Sequence, residues 1–149
     1  MPTRLARTSW HGTSMTGSGD VTFVASKTAP VGFSYEERVT KNDMKEGMTS
    51  PEALVAAAAS GCYSMALATL VGRAGGNPKH LDVEVEVHLV PEPRGGTVGR
   101  LATMKYVVGG EVDGLDEATF QDLAEKALRY SPVATALVDT TKSVTATLG

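Results

Sequence analysis

The chain has 149 residues, enough for one domain with one core, and its 42% hydrophobic and 21% charged residues are ordinary for a soluble globular protein. A net charge of −3 supplies no basic field and argues against nucleic-acid binding. The single cysteine excludes an intramolecular disulfide, and the opening MPTRLARTSW has no apolar leader, so the expectation is one domain over residues 1–149 in a reducing cytoplasm.

In chain order, residues 8–15 and 20–27 read as a hairpin, with the glycines of TGSGD (16–20) supplying its turn. VGFSYEERV (31–39) reads as a third strand, placing Phe33, Tyr35, Glu37 and Val39 on one face and Arg38 at the strand's end. KNDMKEGMT (41–49) is polar and reads as a loop. SPE then opens a helix: Ser50 suits the N-cap, Pro51 the first helical position and Glu52 the positive helix end. The helix can run to about Arg73, because GGNP (75–78) ends it. LDVEVEVHLV (81–90) alternates strictly, with Leu81, Val83, Val85, Val87 and Leu89 on its apolar face. PEPRGG (91–96) turns it into a partner strand, 98–109. Residues 116–130 read as a second helix with Phe120, Leu123, Ala127 and Leu128 in its apolar stripe. Ser131 and Pro132 suit the cap and first position of one further turn, and SVTATL closes the chain as a strand. The order βββ-α-ββ-α-β predicts an α+β fold with antiparallel sheets.

The longest uninterrupted apolar run, 53–59, is far too short to cross a bilayer, so no membrane segment is expected. The helix at 53–70 is nonetheless apolar nearly all round and must be buried on most of its surface. Its small residues, Ala56 to Gly61, let another helix approach closely, which predicts a homodimer with this helix in the shared core. Cys62 sits ten residues after Glu52, about 15 Å along a helix axis. The two cannot touch within one continuous helix, and a crossing helix from a second subunit is one route between them.

Cys62 has two readings. Free cysteine is among the most buried residue types, so it can be a small apolar filler. A reactive thiol instead needs a nearby cation, and Arg38, Arg73, Arg100 and Arg129 all qualify on sequence. His11, His80 and His88 lie far apart and make no ligand pattern with Cys62, so neither metal nor cofactor is expected. Glu84, Glu86 and His88 share one strand face, which is the solvated side that alternation requires.

SPEALVAAAASGCYSMAL (50–67) resembles the signature of the osmotically inducible protein C / organic hydroperoxide resistance family. TSWHG resembles that family's opening strand, GFSYEERV the strand with its active-site arginine, and ATFQDLAEKALRYSPVATAL its second helix and the segment after it. The likeness covers roughly residues 8–148. It implies the OsmC-like fold, two central helices among the sheets of an intertwined homodimer with interfacial sites. It also implies a thiol peroxidase that reduces organic hydroperoxides to alcohols. Under that resemblance Cys62 is the peroxidatic thiol, Arg38 stabilises its thiolate and orients the peroxide, and Glu52 holds Arg38. Phe33, Tyr63 and Met65 would line an apolar substrate pocket.

One departure bears on mechanism. The family pattern carries a second, resolving cysteine before Pro-Val, and here that position is Ser131. A serine cannot condense with a sulfenic acid to a disulfide, so turnover would need an external thiol or dithiol. A milder departure is Ala59, where some relatives carry histidine. The competing reading is a non-catalytic dimer of the same fold that binds an apolar ligand.

Overall fold

The structure is a computed structural model that describes residues 3–40, 43–92 and 99–149. Its contacts divide the chain into two units, Met1–Leu54 and Val55–Gly149. The boundary falls in the first turn of a helix that runs unbroken from Pro51 to Arg73.

The first unit is a four-stranded sheet in the order β1-β2-β3-β4, formed by β1 (Ala6–His11), β2 (Ser18–Phe23), β3 (Val31–Ser34) and β4 (Met48–Thr49). The hairpin turn lies between His11 and Ser18, so it includes only Thr16 and Gly17 of the TGSGD segment. Gly12 there has φ +97°, and a Cβ on Gly17 would come within 2.6 Å of the Trp10 ring. The turn therefore requires glycine at 12 and 17, while Gly19 belongs to β2. The third strand stops at Ser34, five residues short of the expected end. The Ser34 hydroxyl accepts the Glu37 N–H at 3.2 Å and caps a short helix, α1 (Tyr35–Val39). Arg38 therefore sits in the last turn of α1 and not on a strand. β4, inside the expected loop, pairs parallel with β3; residues 41–42 of that loop lie outside the described residues.

The helix α2 (Pro51–Arg73) begins as the sequence predicts, with the Ser50 hydroxyl accepting the Ala53 N–H at 3.1 Å. At its other end Gly75 takes φ +87° and its N–H reaches the Gly72 carbonyl.

The second unit holds a three-stranded sheet in the order β5-β6-β7, from β5 (Asn77–Val90), β6 (Arg100–Asp113) and β7 (Thr141–Leu148). β5 starts before Leu81, and β6 extends to Asp113. The PEPRGG turn lies, from residue 93 onward, outside the described residues. β5 and β6 are antiparallel, but β6 and β7 run parallel. The expectation of purely antiparallel sheets is thus corrected in both units: each closes on one parallel pair. For β7 the reason is the intervening helix α3 (Glu117–Tyr130), which carries the chain back across the sheet.

α3 is capped by Asp116, whose carboxylate accepts the Thr119 N–H at 2.7 Å. Hydrogen bonding to the Thr119 side chain and then to its backbone N–H holds the Asp116 carboxyl below its usual range. Phe120 packs on Gly110 of β6, where an added Cβ would lie 2.7 Å from the ring. The core of this unit joins Tyr63, Leu67 and Val71 of α2 with Met104, Tyr106 and Val108 of β6 and with Phe120, Ala124 and Ala127 of α3. The opposite face of the β-hairpin is polar, with Glu86 paired to Lys105 at 3.4 Å and to His88 at 2.8 Å.

Candidate functional site

Two groups of chemically useful side chains stand out, one in each unit. In the first, α1 and the opening turn of α2 bring Arg38 and Glu52 together. Arg38 Nε and Nη2 both donate to Glu52 Oε1, at 2.9 and 2.5 Å. The side chains are 27% and 16% exposed, so the pair is only partly hydrated and its charges are screened less than at the surface. Glu52 lies in the first turn of α2, where the helix end favours a carboxylate. Its Oε2 is buried and has no partner among the described residues. α1 is itself strapped down by Glu37: its buried carboxylate accepts the Lys45 N–H at 3.1 Å and lies 3.4 Å from Lys45 Nζ. The neighbouring Glu36 and then Glu37 raise the Lys45 amine above its ordinary value. Phe33 stacks against Trp10, with ring centroids 5.4 Å apart. Of the four candidate arginines, Arg38 alone is ion-paired among the described residues.

In the second unit Cys62 is half-buried. The helix explains why. Ala59, Tyr63, Ala66 and Leu70 mark the buried side of α2, and Ala57, Ala58, Gly61, Met65, Thr69 and Gly72 mark the exposed side. At about 100° per residue, Cys62 falls on the seam between them. Tyr63 is core: its hydroxyl donates to the Ala124 carbonyl at 2.7 Å, and its ring lies 4.9 Å from that of Tyr106. Met65 is 75% exposed and edges a groove of about 300 Å³ with Ser64, Ala68, Pro78 and Leu81.

Ser131 is fully buried. Its hydroxyl accepts the Ala134 N–H at 3.4 Å and caps α4 (Pro132–Ala136), while its own N–H closes α3 on the Ala127 carbonyl. Ser131 thus has a structural task of its own, whatever side chain relatives carry at this position.

The sequence reading missed Tyr106. Its side chain is 1% exposed, and its hydroxyl has no hydrogen-bond partner among the described residues. Alternation of Met104, Tyr106 and Val108 marks it as inward-facing, but no local pattern shows what its hydroxyl meets.

By length and composition α2 also qualifies as a membrane span, which the short run 53–59 did not suggest. Only 28% of its most apolar stretch is buried within the chain.

The sequence matches the profile of the OsmC-like protein family over residues 43–146. It is 32% identical over 130 residues to peroxiredoxin OsmC of Escherichia coli, covering 86% of this chain and 85% of that protein. Among solved structures, it is similar to an organic hydroperoxide resistance protein from Elizabethkingia anophelis, with TM-score 0.76, 19% identity and 100% and 98% of the two chains covered. It is also similar to the organic hydroperoxide resistance protein OhrB of Bacillus subtilis, with TM-score 0.67, 21% identity and 97% and 98% covered. An OsmC-like protein of unknown function from Vibrio cholerae matches with TM-score 0.72 at 11% identity, over 97% and 100% of the chains.

Proposed function

The chain belongs to the OsmC-like protein family, and on that premise we propose that it is a one-cysteine peroxidase that reduces organic hydroperoxides. The peroxidase-type function rests on the family; the assignment of residues is our reading. Cys62 attacks as the thiolate. Its sulfur takes the terminal oxygen of ROOH, the O–O bond breaks, and the electron pair leaves on the alkoxide, which is protonated to the alcohol. Sulfur is thereby oxidised to sulfenic acid, and an external thiol or dithiol returns it to the thiol. Arg38 favours the thiolate and orients the peroxide, and Glu52 holds Arg38 in position.

The observation that carries this reading is the Arg38–Glu52 pair, with Nε and Nη2 both bound to one carboxylate oxygen. A free thiol with a pKa near about 8.5 is only a few per cent ionised at neutral pH, and an adjacent cation lowers a pKa by about 1–3 units. A guanidinium locked in one geometry is suited to that task.

The exposed apolar side of α2 supports a homodimer, and the family match over residues 43–146, which crosses the boundary between the units, supports treating residues 1–149 as one domain. Gly61 points the same way. A mid-helix glycine costs about 1 kcal/mol relative to alanine. Within the chain, a Cβ there would meet nothing within 4 Å, which leaves room for a second helix to approach.

The test mixes the protein with cumene hydroperoxide and a dithiol. Consumption of peroxide is expected to depend on Cys62 and to vanish in Cys62→Ser. Arg38→Ala is expected to slow oxidation of the thiol at neutral pH by about tenfold or more. Equal consumption by the protein and Cys62→Ser would overturn the peroxidase reading and leave the apolar-ligand dimer.

A further inference from the structure

We propose that the Tyr106 hydroxyl is a hydrogen-bond donor held ready for the oxygen that Cys62 takes from a hydroperoxide, and that it anchors the resulting sulfenate. The inference rests on the peroxidase reading of Cys62 and extends it to the fate of the oxidised sulfur.

The starting point is an unpaid hydrogen bond. Tyr106 lies on the inward face of β6, 1% exposed, and its hydroxyl has no partner among the described residues. Phenylalanine would fill the same space without burying an unsatisfied group. The neighbouring phenol makes the contrast. Tyr63, also fully buried, spends its hydroxyl on the Ala124 carbonyl at 2.7 Å. The two rings are 4.9 Å apart, and Cys62 immediately precedes Tyr63 on α2. Tyr106 is therefore packed against the residue next to the thiol with an unused donor.

The electrostatics agree with this placement. Burial and then the charge of the Cys62 thiolate raise the Tyr106 phenol above its ordinary value. It therefore stays protonated at neutral pH and can donate. The reduced sulfur itself is not its partner. When sulfur attacks the terminal oxygen of ROOH, an S–O bond forms, the O–O bond breaks, and the alkoxide departs to take a proton. A new oxygen then projects beyond the sulfur. As sulfenate it is a strong acceptor, and a buried phenol is a matching donor. Such an anchor suits a chain with serine at 131, whose sulfenic acid must persist until an outside thiol arrives.

The experiment uses the full chain, treated with one equivalent of cumene hydroperoxide and then with dimedone across a pH series. Dimedone captures the neutral sulfenic acid and not the sulfenate, so the pH at which capture falls to half reports the ionisation of the oxidised sulfur. Tyr106→Phe removes the donor and is expected to move that midpoint up by about one unit, a tenfold change in the ionisation constant. Tyr63→Phe also removes a buried hydroxyl but is expected to leave the midpoint in place. A 3-fluorotyrosine at 106 keeps the shape and is a stronger donor, so it should move the midpoint down; it also serves if the phenylalanine variant does not fold. An unmoved midpoint in both position-106 variants would overturn the proposal while the peroxidase reading stands. Absence of any dimedone adduct in the unsubstituted protein would overturn both.

Discussion

Two buried phenols, Tyr63 and Tyr106, lead to a prediction about stability in alkali. Burial, followed by the charges of Glu125 and Tyr106, raises the Tyr63 phenol well above 10, and burial with the Cys62 charge raises Tyr106. In the unfolded chain both ionise near about 10. Below that pH both states hold the protons and the stabilisation is complete. Above it the unfolded state has lost them while the folded state keeps them, so stability falls as pH rises towards the folded values. Melting temperatures measured from about pH 9 to 11 should therefore drop steeply, and less steeply in Tyr63→Phe. Ser131→Ala should cost about 1 kcal/mol in denaturant unfolding, through the lost cap on α4. At this scale the family resemblance named Arg38 and Glu52 as partners, and the two do meet; the role of Cys62 is decided by the peroxide assay and not by the fold. Tyr106 was not legible in the sequence, because strand alternation tells which way a side chain faces and not whether its hydroxyl finds a partner.

At the level of elements, the clearest departure is at Ser34. VGFSYEERV alternates well enough to pass for a strand, yet a serine followed three residues later by glutamate is a helix start, and local capping prevailed over periodicity. The helix α2 was legible to both ends because Ser50, Pro51 and Gly75 are strong punctuation. Its exposed side leads to a prediction with opposite signs in two states. Gly61→Ala adds a methyl group into open space in the single chain, so it should stabilise a monomer by about 1 kcal/mol. If a second α2 packs there, the same methyl group, and still more Gly61→Leu, should weaken the dimer. Sedimentation velocity over a dilution series measures this directly, with the leucine variant expected to run as a monomer.

For the whole molecule, element order was readable from the alternation of period-two and helical stretches, and strand direction was not. Nothing in TKSVTATL says whether it lies parallel or antiparallel to its neighbour; the crossover through α3 decides that. Association of the exposed apolar surface of α2 should also make the melting temperature rise with protein concentration, since a dimer is favoured by mass action. The parallel pairing of β6 with β7 matters for time as well as for shape. Thr103 meets Thr141 only after α3 has been laid across the sheet, whereas β5 and β6 are consecutive neighbours. Long loops close late, so the hairpin should assemble first and the final strand should dock last. In pulse-labelling during refolding, amide hydrogens of β5 and β6 should gain protection ahead of those in β7, making arrival of that strand the slow event in the protein's maturation.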